Sequence, residues 1–239
     1  MFSLYEVVLH YGKLKVLEQF NLNCDRRQFI CLLGPSGVGK TSILNILARI
    51  VKPQSGQVES DNRRLAYVFQ EPRLIPWLTV EQNLHVGLYN LGLDFRQRCQ
   101  RVESLLPVLG LAEFGGYYPG QLSGGMKQRV SIGRAFAIQP DLLLLDEPFY
   151  GLDENLKRDM QELLFSLGQW HACTTVMVTH DVKEALRLAD RIIVVVGRPC
   201  QVMLDLYPEP DQRYEQSYTK QMEQILLDAI NPVISSACQ

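Results

Sequence analysis

A glycine-rich segment, Gly34-Pro-Ser-Gly-Val-Gly-Lys-Thr41, lies between a short apolar run and a helical pattern. Its glycines leave backbone N–H groups bare and Lys40 adds a cation, so the segment fits the phosphate-loop pattern. In such loops the lysine bridges the β- and γ-phosphates and the hydroxyl of the next residue binds Mg²⁺. A plain glycine-rich turn would leave the lysine unexplained. The predicted phosphate-binding residues are Gly34, Pro35, Ser36, Gly37, Val38, Gly39, Lys40, Thr41 and Ser42, with Thr41 as a metal ligand.

Two adjacent carboxylates, Asp146 and Glu147, follow the apolar run 142–145. Carboxylates at the end of a buried strand are costly unless a cation lies nearby. We predict that Asp146 holds the magnesium shell and that Glu147 polarises an attacking water. Taken alone, a strand end that opens into solvent explains the pair equally well. Beside a phosphate loop, the catalytic interpretation is favoured.

Single polar residues follow two other strand-like runs. Gln70 comes after the run 64–69 and is predicted to orient the water or bind the metal. His180 comes after the run 174–179 and is predicted to contact the γ-phosphate. A lone Gln or His is usually structural, yet α/β sheets bind ligands at the carboxyl ends of their strands. Tyr11, in a predicted turn, is a candidate for stacking on adenine, and an ordinary core or surface tyrosine is the alternative.

The segment 119–129 contains a second helix start of the kind that binds anions. Ser123 is a good N-cap, and Gly124 and Gly125 leave N–H groups bare at the positive end of the helix dipole. The chain therefore carries two phosphate half-sites, and a two-fold dimer would make two complete ones. A helix cap without a ligand is the alternative.

These residues need a scaffold that alternates strands and helices. The pattern predicts an α/β fold, a P-loop NTPase (RecA-like) core with a mainly parallel sheet and helices on both faces. Alternation around residues 4–8 and the run 14–22 predict an N-terminal antiparallel β subdomain. The predicted strands are 29–33, 64–69, 141–146, 174–179 and 192–196, and the predicted helices are 41–51, 98–109, 154–167 and 181–189.

The domain prediction is a single unit, residues 1–239. Residues 1–75 and 137–200 form the predicted nucleotide-binding core, and residues 76–136 form an inserted α-helical subdomain. Residues 201–239 form a C-terminal tail whose amphipathic helix is expected to dock on the core. The apolar stripe of that helix is Tyr214, Tyr218, Met222, Ile225, Leu226 and Ala229.

Composition limits the remaining classes. The chain has 239 residues, 46% of them hydrophobic, a net charge of −2 and scattered Lys and Arg, which argues against a nucleic-acid groove. No apolar run approaches the ~20 residues that span a bilayer, and the N-terminus does not resemble a signal peptide. We therefore expect a protein inside the cell that meets a membrane only through a partner. The six cysteines are expected to be free thiols.

In this order the motifs resemble those of the ATP-binding subunit of an ABC transporter, over about residues 1–200. Leu122-Ser-Gly-Gly125 is specific to that superfamily, and Gly151-Leu-Asp153 also matches. Within it, Val68 to Val80, Leu145 to Phe149, and Arg191 followed by a strand and Gly-Arg-Pro199 look like the nitrate/sulfonate/taurine importer group. The resemblance implies ATP hydrolysis with Mg²⁺ in a head-to-tail homodimer. In that dimer Ser123, Gly124 and Gly125 contact the partner's ATP, with Asp153 at the seam.

The resemblance also implies an integral-membrane permease partner, a solute-binding protein met indirectly, and a place on the cytoplasmic side of the cell membrane. Pro72, Leu74 and Trp77 are predicted to receive a permease helix, and a core position for Trp77 is the alternative. A soluble ABC-type ATPase not coupled to transport is the second candidate function. A phosphate-loop kinase would have no use for the Ser123 segment. The chain departs from the family at Thr41-Ser42, Tyr150-Gly151 and Arg26-Arg27.

Overall fold

The structure, a computed structural model, describes residues 2–61, 64–170, 173–213 and 215–231. The chain divides into two compact units. Unit 1 combines residues 1–62 with residues 174–239, and unit 2 comprises residues 63–173. Unit 1 is thus built from both ends of the chain, whereas unit 2 is one continuous stretch.

The regular elements follow one another along the chain. The strands are β1 (Phe2–Tyr11), β2 (Leu14–Cys24), β3 (Phe29–Leu33), β4 (Ser55–Ser60), β5 (Leu65–Val68), β6 (Leu142–Asp146), β7 (Thr174–Thr179), β8 (Arg191–Val196) and β9 (Gln201–Leu206). The α-helices are α1 (Lys40–Leu47), α2 (Val80–His85), α3 (Phe95–Val108), α4 (Gly124–Ala137), α5 (Glu154–Trp170), α6 (Val182–Leu188) and α7 (Gln216–Ile230). Short 3-10 helices lie at Val86–Leu88, Ala112–Phe114, Pro119–Gln121 and Pro210–Gln212.

Unit 1 contains two kinds of sheet. An antiparallel sheet has the order β2-β1-β4, as predicted for the N-terminal subdomain. A second sheet places β3 between β7 and β8, all parallel, and adds β9 antiparallel to β8. Strand β7 and most of β3 and β8 are buried, as continuous apolar strands of a parallel sheet should be.

Unit 2 combines a parallel pair of strands with helices. Strands β5 and β6 pair in register from Leu65 opposite Leu142 to Val68 opposite Leu145. Helix α4 packs on α2, α3 and α5. Its Gly133 permits close packing, because a Cβ there would lie 2.3 Å from Leu109 Cδ1. The described residues 76–136 contain helices and no strand.

The α/β fold class with a mainly parallel sheet is confirmed. Each predicted strand and helix is present with bounds that differ by a few residues, but two strands were not predicted. Strand β4 (Ser-Gly-Gln-Val-Glu-Ser) is too polar to signal a buried strand. Strand β9 exposes most of its side chains, so its apolar residues show no one-sided alternation. Helix α7 packs on α6, β8 and β9, and its Leu226 is buried. Ile225 is exposed, and Tyr214 lies outside the described residues.

The cysteines of the described residues form no disulfide bond, as expected, and three of them are buried in unit 1. Burial raises the pKa of the Cys24 and Cys200 thiols to about 12, and it raises the pKa of Cys31 as well. Cys238 lies outside the described residues. Among the helices described, none combines the length and apolar character needed to cross a membrane.

Candidate functional site

The phosphate loop begins where the central strand of the unit 1 sheet ends. Leu33, the last residue of β3, pairs with Thr179 on one side and with Val194 on the other. Gly34 is the next residue, and a Cβ there would lie 2.1 Å from the carbonyl oxygen of Val195. A glycine is therefore required for the loop to leave the sheet so close to β8.

Lys40 begins helix α1 and is buried, with 4% of its surface exposed. Its Nζ donates hydrogen bonds to the carbonyl oxygens of Gly34 at 2.8 Å and Pro35 at 2.9 Å. The ammonium is thus held inside the curve of the loop, where a buried cation favours an anion. Gly39 is the N-cap of α1 and makes no side-chain hydrogen bond, and the positive end of the helix dipole lies at the end of the loop.

His180 leaves the sheet beside this loop. It follows Thr179, the residue paired with Leu33, so His180 and Gly34 are neighbours at the same edge. The hydroxyl of Thr179 donates to Glu184 at 2.6 Å and accepts the Asp181 N–H at 3.0 Å, which fixes the chain on both sides of the exposed histidine. Tyr11 ends β1 before a turn, with 49% of its surface exposed.

In unit 2 the parallel register places the predicted metal ligands after adjacent strands. Asp146 ends β6 and is buried, and Gln70 is exposed two residues beyond Val68. Tyr67, which sequence reasoning missed, donates its hydroxyl to Asp146 Oδ2 at 3.3 Å. Burial, and then the Asp146 carboxylate, raises the pKa of Tyr67, so the phenol remains a donor.

Glu147 has a left-handed backbone conformation with φ of 44°. That region is costly for a non-glycine residue and such strain is often found at functional sites. The chain just beyond is held by Gln128, whose buried Nε2 donates to the Pro148 carbonyl at 2.7 Å. Gln128 therefore ties helix α4 to the segment that carries the predicted catalytic carboxylate.

The second predicted phosphate end is a capped helix start, as expected. Ser123 Oγ accepts the Met126 N–H at 3.3 Å, and both Ser123 and Gly124 are exposed. Gly125 is buried, and a Cβ there would lie 2.6 Å from Leu156 Cδ2, so packing also requires this glycine. Asp153 caps α5, since its Oδ1 accepts the N–H groups of Asn155 at 3.1 Å and Leu156 at 3.0 Å.

The loop 70–79 is exposed yet firmly anchored. Trp77 has 75% of its surface exposed, so the core position considered for it is wrong. The buried Asn83 side chain accepts the Ile75 N–H and donates to the carbonyl oxygens of Ile75, Leu78 and Thr79. Arg134 donates to the Pro72 and Arg73 carbonyls.

The structure thus assembles the predicted residues as two sets. Unit 1 brings the phosphate loop, Lys40, Thr41 and His180 to one sheet edge, and Tyr11 lies at the end of a neighbouring hairpin strand. Unit 2 brings together Gln70, Asp146 and Glu147, and separately Ser123, Gly125 and Asp153. Thr41 in unit 1, and Gln70 and Asp146 in unit 2, each offer an oxygen atom, the type of ligand that suits Mg²⁺. Among the described residues no group of three His, Cys, Asp or Glu could hold a metal alone.

Comparison with known proteins gives a consistent result. Residues 17–150 match the family described as ABC transporter. The nitrate import ATP-binding protein of Synechocystis sp. is 39% identical over 202 residues, 82% of this chain and 76% of that protein. An aliphatic sulfonates import ATP-binding protein of Pseudomonas syringae pv. tomato is 44% identical over 191 residues, 80% of each chain.

A bicarbonate transport ATP-binding protein of Synechocystis sp. is 39% identical over 197 residues, 79% of this chain and 70% of that protein. Among solved structures, the ATP-binding cassette MJ0796, a dimer in a post-hydrolysis state bound to ADP and Pi, superposes with a TM-score of 0.76. It is 31% identical over 87% of this chain and 99% of its own. The phosphate loop, the Ser123 segment, the α/β fold and these matches together show that the chain belongs to the ABC transporter family.

Proposed function

We propose that the chain is the ATP-hydrolysing subunit of an ABC importer, which couples ATP binding and hydrolysis to the uptake of a small anion of the nitrate, sulfonate or taurine class. The observation that carries the proposal is the buried Lys40 ammonium, held by two loop carbonyls beside His180. Relatives that are 39% and 44% identical and named for nitrate and sulfonate import support the cargo class.

ATP binding uses the residues of unit 1. The N–H groups of the loop and of the first turn of α1 point to the phosphates, and Lys40 bridges the β- and γ-oxygens. Lys40 exchanges its two carbonyl contacts for phosphate oxygens, a stronger partner for an ammonium. Tyr11, half exposed at the end of β1, stacks on the adenine ring.

Hydrolysis uses the predicted catalytic residues. Glu147 polarises the attacking water, Gln70 orients it, and His180 contacts the γ-phosphate. Thr41, Gln70 and Asp146 would hold Mg²⁺, which would supply charge neutralisation for the β- and γ-phosphates. The Tyr67 hydroxyl donates to the Asp146 carboxylate and so holds that carboxylate in place.

Two copies of the chain complete two sites. The exposed Ser123 and Gly124 contact the γ-phosphate of ATP held by the partner copy, with Gly125 as a further contact through its backbone and Asp153 at the seam. Support comes from the MJ0796 cassette, which was solved as a dimer.

The further partner is an integral-membrane permease on the cytoplasmic side of the cell membrane, with a solute-binding protein met only through it and no nucleic acid. The anchored loop 70–79 supports this proposal, because it presents Trp77 to solvent at 75% exposure while Asn83 and Arg134 fix its backbone. An exposed tryptophan on a rigid loop is a typical anchor for a partner's pocket. The short helix of a permease would rest on Pro72, Leu74 and Trp77.

One experiment tests the ATP-dependent dimer. Glu147→Gln is expected to block hydrolysis while sparing ATP binding, so light scattering should show a monomer without ATP and a dimer with ATP. Adding Ser123→Arg should return the protein to a monomer, because the arginine occupies the place of the partner's phosphate. Monomers under both conditions would contradict the paired half-sites.

Coupling to transport needs the permease. Co-purification of the permease and its binding protein, followed by reconstitution in vesicles, should make ATP hydrolysis depend on the transported anion. An ATPase rate that the permease and anion leave unchanged would favour the alternative, a soluble ABC-type ATPase not coupled to transport.

A further inference from the structure

The turn between β8 and β9 lies against the phosphate loop. This turn contains Gly197-Arg198-Pro199, a motif that ATP binding and hydrolysis leave without a role. Arg198 Nε donates a hydrogen bond to the carbonyl oxygen of Gly37 at 3.0 Å, across 161 positions of sequence. Gly37 is in the middle of the loop, in a left-handed conformation with φ of 77°.

The turn that carries Arg198 packs closely against the glycines of the phosphate loop. A Cβ at Gly37 would lie 2.5 Å from Arg198 Nη2, so the guanidinium occupies the space that any larger residue would need. The turn itself is fixed, because Cys200 N–H donates to the Val16 carbonyl at 2.8 Å. A Cβ at Gly39 would lie 2.9 Å from Val16 Cγ1 and 3.6 Å from Cys200 Cβ. Arg198, Cys200 and Val16 therefore restrict the position of the loop at Gly37 and Gly39.

Peptide geometry gives this hydrogen bond a consequence for the loop. The Gly37 carbonyl and the Val38 N–H belong to one planar trans peptide, so they point in opposite directions. When Arg198 holds the carbonyl, the Val38 N–H faces away from Arg198. A flipped peptide, which glycine at position 37 would otherwise allow, would turn a carbonyl oxygen toward a bound anion.

We propose that Arg198 is a positioning residue for the phosphate loop, which holds the Gly37 carbonyl and so keeps the Val38 N–H directed at the triphosphate. The inference rests on the proposed function, since it gives the loop's ligand as ATP. The guanidinium is a charge-assisted donor, stronger than a neutral one, and it acts on the backbone without contacting the reacting atoms.

The chain offers a matched pair of substitutions. Arg198→Met keeps the side-chain stem and places a methyl group where Nε was, so the donor is lost. Arg198→Gln places an amide nitrogen at the Nε position, so the donor is kept and the charge is removed. Steady-state hydrolysis should show KM for ATP raised about fivefold in Arg198→Met, the effect of one hydrogen bond. The Arg198→Gln variant should return KM to within about twofold of the wild type, and kcat at saturating ATP should hold in both.

The outcomes separate positioning from general stability. A thermal midpoint without nucleotide that matches the wild type, together with a raised KM, supports the proposal. An unchanged KM in Arg198→Met, a KM in Arg198→Gln as high as in Arg198→Met, or a fall in kcat alone would overturn it. Should Arg198→Met fail to fold, Arg198→Leu takes its place, because its apolar side chain also has no donor. A wild-type KM in Arg198→Leu would then overturn the proposal.

Lys40→Ala distinguishes failure of this inference from failure of the proposed function. Calorimetric titration with ATP should show that Lys40→Ala loses binding. If Lys40→Ala loses binding and Arg198→Met keeps the wild-type KM, only the role of Arg198 is wrong. If Lys40→Ala binds ATP as the wild type does, the loop is not the nucleotide site and the proposed function itself is overturned.

Discussion

The guanidinium of Arg134 donates to the Pro72 carbonyl at 3.2 Å and to the neighbouring Arg73 carbonyl at 3.1 Å. Arg134 lies on α4, the helix capped by Ser123, and Pro72 lies in the loop that carries Gln70 and Trp77. Desolvation lowers the pKa of the Arg134 guanidinium, in keeping with its partial burial at this junction. One side chain therefore joins the helix that starts at the predicted partner contact to the loop predicted to meet the permease.

Replacing Arg134 should loosen this junction. Arg134→Leu removes two hydrogen bonds to carbonyl oxygens, which should lower the free energy of unfolding by about 1–2 kcal/mol. Arg134→Lys keeps one cationic donor and should lose less. Urea titration of both variants provides the measurement, and equal midpoints for Arg134→Leu and the wild type would contradict the prediction.

The glycine pair at the start of α4 should respond unequally to alanine. A Cβ on Gly125 would lie 2.6 Å from Leu156 Cδ2, whereas nothing lies within 4 Å of a Cβ on Gly124. Gly125→Ala should therefore cost about 1–3 kcal/mol through overpacking, and Gly124→Ala should be tolerated. Chemical denaturation of the two variants measures the difference.

Leu156→Ala is the control for that packing argument. It removes the atoms that the new Cβ would meet, so the double variant Gly125→Ala with Leu156→Ala should be destabilised by less than the sum of the two single changes. Strict additivity would show that the cost of Gly125→Ala does not arise at Leu156. If Gly124→Ala folds normally yet no longer dimerises with ATP in the Glu147→Gln background, the exposed helix start itself meets the phosphate.

The raised pKa of Tyr67 should make the stability of the folded protein depend on pH in the alkaline range. Its pKa is raised in the folded protein, first by burial and then by Asp146, so the folded state keeps the phenolic proton that the unfolded state loses above its ordinary pKa. Its contribution to stability is therefore constant below about pH 10 and declines as the pH rises beyond it. Tyr67→Phe has no such proton, so above about pH 10 the wild type should lose stability more steeply than the variant. Parallel slopes in denaturant titrations at several alkaline pH values would refute this.

Trp77→Ala should separate hydrolysis from coupling. The side chain is 75% exposed, so its removal should leave the fold and the ATPase rate of the isolated chain unchanged. Binding to the permease should weaken about tenfold or more, as expected for an aromatic anchor. Phe165→Ala is the matched control, an exposed aromatic of unit 2 that lies on α5 outside the loop. Equal permease affinity in the two variants would remove the docking role of the loop.

Sequence patterns were informative wherever chemistry or burial repeats locally. The run 29–33 is buried and leads directly into the loop, so both the strand and the loop were predictable. Ser123 was predictable as a cap because capping depends on residues three positions apart. Strand β9 was not predictable, because it lies at the edge of its sheet, where exposed side chains give no periodic signal.

The contacts that refine the candidate site were not predictable, because they join residues far apart in sequence. Tyr67 reaches Asp146 across 79 positions, and Arg134 reaches Pro72 across 62. The sequence predicts only that Gly125 leaves its backbone N–H bare. The side chain that requires a glycine there, Leu156, belongs to another helix. Trp77 was ambiguous for a related reason, since only its surroundings decide whether an indole ring is buried.

The origin of unit 1 in both ends of the chain has a consequence for synthesis on the ribosome. Unit 2 is one continuous stretch, so its residues emerge together, but β3 must wait for β7 and β8. Gly37 and Arg198 are 161 positions apart, so at ordinary elongation rates the loop is finished about ten seconds or more before its anchor is made. A chain that stops before Arg198 would contain the whole phosphate-loop sequence and lack the turn that holds it.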